Sequence, residues 1–245
     1  LAQGLLRENG AAAVTIGGAA AAWVVLLAGY ALGLGNLLAH GTVLESDSRA
    51  LPVAVLLFIA GWQVMIGAMM LPSTVPVVEE FTRTRNGRSR GGLAVFLAAY
   101  FAVWTVFGVA ALSGDAAVHH LAHNWHWLEE RPSLVAAAVL VLAGAYQFLP
   151  VKRRCLAECR SPAGLLDTDG RPDAGAWRPG VRHAIACLGS SWALMLVMFA
   201  VGVHTLWVVA ALTVVLLAEK TFPIGPGIVP VVGAALIAGG VFAAW

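Results

Sequence analysis

The sequence predicts an all-α protein, a polytopic bundle of about seven membrane-spanning helices. Three observations predict it. Hydrophobic residues make up 60% of the chain and charged residues only 11%, against about a quarter charged in ordinary soluble domains. The polar residues fall in clusters. The apolar stretches between them approach the roughly 20 residues that a bilayer core requires. A soluble domain could not cover its core with so few charges, so a cytosolic globular enzyme, a nucleic-acid binder and a disordered chain are excluded. Three cysteines are too few for a secreted disulfide framework.

The first span, about Val14–Leu38, is preceded by one arginine, Arg7, and by no small-residue cleavage site, so it reads as retained. The following spans are about Leu51–Val78, Leu93–Leu112, Leu134–Leu149, Ala184–Val201, Thr205–Leu217 and Ile228–Ala244. Glycine and proline alone interrupt them, and neighbouring helices can accommodate both in a membrane. As one helix, Ala184 to Leu217 would run roughly 50 Å, well beyond a hydrocarbon core of about 30 Å. A reversal near Gly202–His204 is therefore expected; one kinked helix there would make the count six. Neither an internal repeat nor a short broken-helix pair of the inverted-repeat kind is visible.

Thirteen of the fifteen basic residues fall on one side of this arrangement, and only Arg49 and Arg131 on the other. The excess marks the cytoplasmic side, which places the N-terminus inside and the C-terminus outside. The chain is then a single integral membrane domain over 1–245. It carries an outer histidine-rich loop at 113–133 and a cytoplasmic basic loop with a cysteine pair at 151–182.

Metal-capable side chains sort by compartment on this topology. Cys155, Cys159 and Cys187 lie inside, with His183. His119, His120, His123 and His126 lie outside, as do His40 and His204. Methionines occupy the interior: Met65, Met69 and Met70 in the second span, Met195 and Met198 in the fifth. In the second span Trp62, Met65, Met69, Pro72 and Pro76 recur at three- and four-residue steps and share a helix face. At the helical rise Met69 lies roughly 15 Å from the inner end of its span and Met195 roughly 20 Å. Were the two helices neighbours, two thioethers from each could meet near mid-membrane. Thioether and thiolate select copper(I), and imidazole also suits copper(II).

Plainer readings stand beside these. Methionine is a common gap-filler in apolar cores. A CxxxC pair lacks the two-residue spacing of most redox and zinc motifs. HHLAHNWHW is a hydrophilic loop or an interfacial helix with an aromatic belt, although His119 and His123 are spaced for two ligands on one helical turn. Glu219 next to Lys220 reads as an interfacial ion pair, and Ser190 and Ser191 as helix-to-helix hydrogen bonds.

Three segments together resemble a bacterial family of metal-binding, copper-chaperone-like integral membrane proteins. They are WQVMIGAMMLPSTVP (Trp62–Pro76), YQFLPVKRRCLAECRSP (Tyr146–Pro162) and CLGSSWALMLVM (Cys187–Met198), continuing to Glu219–Lys220. The likeness covers about Leu51 to Lys220. Family members tend to carry extra cysteines where this chain has Ser190 and Ser191, which leaves Cys187 as the only thiol of that span. The resemblance implies copper as the metal and a multi-pass bacterial cell-membrane protein.

The leading expectation is a copper-binding membrane protein that holds or delivers copper for a partner, a membrane or outer-face protein that receives it. Cys155 and Cys159 would capture the ion, Met65, Met69, Met195 and Met198 would hold it, and the outer histidines would accept it. One alternative is a copper-dependent oxidase or monooxygenase subunit acting on a hydrophobic substrate. Another is a metal-free structural subunit of a membrane complex. The lipid bilayer is an expected partner; no nucleotide, flavin or nucleic acid is expected, and no catalytic residue is assigned.

Overall fold

In the computed structural model, residues 2–33, 51–83, 91–124, 131–161, 175–201 and 205–245 are described. They form eight helices with no strand among the described residues: α1 (Ala2–Ala31), α2 (Leu51–Arg83), α3 (Gly92–Asn124), α4 (Pro132–Gln147), α5 (Pro150–Cys159), α6 (Trp177–Val201), α7 (Leu206–Thr221) and α8 (Gly225–Ala243). Each expected span has its helix. Five of them are long and apolar enough to cross a membrane, and α4 with α5 would make a sixth. The count falls short of seven because α7 has only 16 residues, roughly 24 Å of helix. Large apolar side chains stay on the outside of the bundle, Val106, Leu142, Trp207 and Phe242 among them. A water-soluble monomer rarely exposes so much apolar surface; lipid contact accommodates it.

Two elements depart from the expected pattern. The third span was expected to end near Leu112, with a loop over 113–133, but α3 continues unbroken to Asn124. The fourth span and its following loop are instead two helices that meet at 68°. Leu149 is extended (φ −71°, ψ 140°) and Pro150 starts α5, because proline drives the residue before it out of the helical region. A broken helix is thus present where none was expected. The cysteine pair lies on α5 rather than in an irregular loop. The reversal expected near Gly202–His204 lies outside the described residues. Nonetheless α7 runs back along α6, since Lys220 near its C-terminal end meets Cys187 in the first half of α6.

Packing relies on close backbone approach and on side chains that answer orphaned carbonyls. Pro72 and Pro76 lie inside α2, and Pro72 cannot donate to the carbonyl four residues earlier, that of Ala68. The indole Nε1 of Trp23 donates to that carbonyl instead, at 3.0 Å, which pins α1 antiparallel on α2. Trp62 Nε1 donates to the Trp104 carbonyl at 2.8 Å, over Gly108, where a Cβ would collide with the indole. Gly144 and Gly233, and Gly240 against Ala137, bring α4 and α8 together, as small residues do between apolar helices. α6 packs mainly on α3 and α5. Its residues advance along α3 in the same direction, His183 against Phe96 and Tyr100, then Cys187 against Tyr100.

Candidate metal centre

Two faces of α5 separate its roles. Lys152, Cys155 and Cys159 recur at three- and four-residue steps and turn toward the bundle; Lys152 and Cys159 are buried and Cys155 is half-buried. Cys155 packs on Gly189 of α6, where a Cβ would sit 2.6 Å from its Sγ. One turn on, Cys159 faces Cys187 and Ser190. The three thiols, all free, therefore step from the bundle's edge into its core.

Cys187 is fully buried. Its Sγ lies 3.0 Å from Lys220 Nζ and 3.1 Å from the Tyr100 hydroxyl. The same ammonium lies 3.6 Å from Met70 Sδ. Ser190 and Ser191 both donate to the Cys187 carbonyl, at 2.8 and 2.6 Å. Both thus bond within their own helix, and Ser190 also reaches Cys159 on α5, a helix-to-helix contact of the kind the sequence suggested. His183, one turn before Cys187, is fully buried and stacks on Tyr100 with ring centres 5.5 Å apart. Neither of its ring nitrogens has a hydrogen-bond partner among the described residues.

Glu219 does not pair with Lys220. Its Oε2 accepts from Lys152 Nζ at 2.6 Å, with both side chains almost wholly buried. Its backbone carbonyl accepts from Arg160 Nη1 at 2.7 Å. Adjacent residues on a helix point about 100° apart, so Glu219 turns to α5 while Lys220 turns to the sulfurs. The fixed charges of Lys152 and Glu219 cancel, and Lys220 remains as the cation at the sulfur cluster.

The structure brings together Cys159, Cys187 and Met70, with Cys155 behind them and His183 beside them. Met65, Met69, Met195 and Met198 are buried in the same apolar core. His120 stands exposed near the far end of α3 against Asn124. His119 and His123 lie on the same helix, and His126 lies outside the described residues. Among the described residues no three His, Cys, Asp or Glu side chains converge closely enough for one metal ion, so the cluster depends on two thiols and a thioether. Lys220 and Tyr100 were missed as members. A lysine buried in an apolar helix is a signal of function in itself, whereas nothing in the sequence near Tyr100 points to it.

An all-helical bundle with soft sulfur donors buried around one ammonium defines the class. The chain belongs to the PpoB2 family of copper chaperones, whose profile matches residues 58–243. The match bears out the family resemblance and extends it through α8, leaving only α1 and the first residues of α2 outside. No curated protein and no solved structure shows significant similarity to the chain. Family membership supports a copper-related role.

Proposed function

We propose that the protein is an integral membrane carrier that takes up copper(I) on thiols at one end of the bundle and passes it to a partner protein. The observation that supports this best is the meeting of Cys187, Met70 and Cys159 around Lys220. Thiolate and thioether favour copper(I), and the thiolate is the form that binds metal. Two thiolates with one copper(I) carry a net charge of −1. The Lys220 ammonium brings that to zero, which matters because an uncompensated charge in a buried apolar site is costly. A structural zinc site would ask for four converging Cys, His or carboxylate ligands, and among the described residues not even three converge.

Cys155 is the half-buried first contact, Cys159 and Cys187 are the holding pair, and Met70 is the supporting donor. His183, one turn before Cys187, is the imidazole beside the pair. Met65, Met69, Met195 and Met198 line a route outward through the core, and His119, His120, His123 and His126 form the receiving end. On the topology read from the sequence, thirteen of the fifteen basic residues share the side of the thiols, which supports a cytoplasmic location for them in a bacterial cell membrane. It also supports a cytoplasmic N-terminus and an outer C-terminus, with α7 crossing despite its length.

X-ray absorption at the copper edge of the reduced, copper-loaded protein tests the assignment. A first shell dominated by sulfur, lost in Cys187→Ser, is the expected result. A shell of nitrogen alone would move the site to the histidines and remove the thiol carrier.

A further inference from the structure

A second feature of α5 lies on its other face. Arg153, Ala157 and Arg160, with Leu156, border a cavity of about 600 Å³ between α5, the α4–α5 bend and the first turns of α8. That volume is within the usual range for small-molecule sites, about 300–1,000 Å³. Phe148, Pro226, Val229 and Pro230 complete an apolar wall. No acidic side chain lines it among the described residues. α8 begins there with no side-chain cap on its N-terminus, so the positive end of its dipole adds to the two guanidinium groups. Gln147 also lines the cavity; it is only 1% exposed, and neither atom of its amide has a hydrogen-bond partner among the described residues. Buried amides are ordinarily satisfied, so this one points to a polar group of a ligand.

We infer that this cavity binds the phosphate headgroup of an anionic phospholipid, with Arg153 and Arg160 on the phosphate, the Gln147 amide beside it and the acyl chains leaving over α8. A lipid suits the wall better than free phosphate does. The apolar lining continues outside the cavity into Ile224 and Val231, which are 69% and 67% exposed, and a small anion would use none of that surface. Basic pockets between helices on the cytoplasmic side are a common mode of headgroup recognition. The site shares no side chain with the sulfur cluster, although Arg160 links the two by holding the Glu219 carbonyl.

The test uses the full chain in detergent, stripped of copurified lipid, with retained lipid counted by native mass spectrometry. The probes are phosphatidylglycerol, phosphatidylcholine and inorganic phosphate. Arg160→Gln would also remove the bond to Glu219, so the informative variant is Arg153→Gln; Arg153 is exposed and its side chain bonds to none of the other described residues. Wild-type protein should retain phosphatidylglycerol over phosphatidylcholine. Arg153→Gln should cut that preference about fivefold, the factor one near-surface cation contributes, and leave phosphatidylcholine retention unchanged. Gln147→Leu should weaken phosphatidylglycerol retention without lowering thermal stability. Equal retention of the two lipids, or an unchanged preference in both variants, would overturn the proposal. Displacement of the bound lipid by an equal concentration of inorganic phosphate would also overturn it, by making free phosphate the ligand.

Discussion

Lys220 carries the strongest prediction at the scale of single residues. Its ammonium touches one thiol and one thioether, and a unit charge at about 4 Å is worth roughly 4 kcal/mol at an effective dielectric of about 20. Lys220→Leu keeps the apolar part of the side chain, removes the charge and adds no sulfur donor. If Lys220 neutralises a copper(I) bis-thiolate, the variant should retain copper(I) at least about tenfold more weakly in competition with a chelator. Tighter retention would mean that the ammonium occupies the ion's own place and competes with it. Little of this was legible in the sequence. Cys187 and Lys220 are 33 residues apart, Met70 and Lys220 are 150 apart, and only the packing of three helices makes them neighbours. The apparent Glu219–Lys220 pair misled because adjacency along the chain is divergence on a helix. In the same way the Met65–Met69 face was visible by spacing, yet Met70, about 100° around the helix from Met69, is the methionine whose sulfur reaches the ammonium.

At the scale of elements, the Lys152–Glu219 pair ties α5 to the end of α7, and with Arg160 it fixes where Lys220 points. Removing one partner of a buried pair leaves an uncompensated charge and typically costs about 3–5 kcal/mol. Glu219→Gln should therefore lower the thermal unfolding midpoint in detergent markedly. Adding Lys152→Met to it should restore most of the loss. A single variant as stable as the wild type would mean that water reaches the pair. The helices themselves were readable, because apolar length and breaker residues set them: seven apolar segments became seven of the helices. The bend before α5 rests on Pro150, also present in the sequence. It escaped notice because proline is tolerated within membrane helices, as Pro72 is in α2, where Trp23 answers the freed carbonyl. Whether a proline bends a helix depends on partners that the local sequence does not name.

For the whole molecule, the contacts of Lys152 with Glu219, Arg160 with the Glu219 carbonyl and Lys220 with Cys187 gather α5, the first half of α6 and the end of α7 toward one end of the bundle. The three thiols share that end. With the basic residues as the cytoplasmic marker, an impermeant thiol reagent should modify half-buried Cys155 only from the cytoplasmic face of oriented vesicles. Buried Cys159 and Cys187 should stay unmodified from either face. Labelling of Cys155 from the outer face would invert the route and place the histidines inside. The charge asymmetry behind this expectation is plain in the sequence; the burial order of the thiols is not, since it depends on Gly189 letting α5 approach α6.

The central claim is that Cys159 and Cys187 hold one copper(I) ion between them, and bound copper per chain tests it most directly. The measurement is made by elemental analysis after anaerobic loading with copper(I) and passage over a chelating resin. Wild-type protein should keep one ion, and Cys159→Ser or Cys187→Ser alone should lose it while remaining folded by thermal unfolding. The paired change Met65→Leu and Met69→Leu is nearly volume-conserving and should cost less than about 1.5 kcal/mol of stability; it should leave this ion in place. Full copper retention in a folded protein lacking both Cys159 and Cys187 would contradict the account.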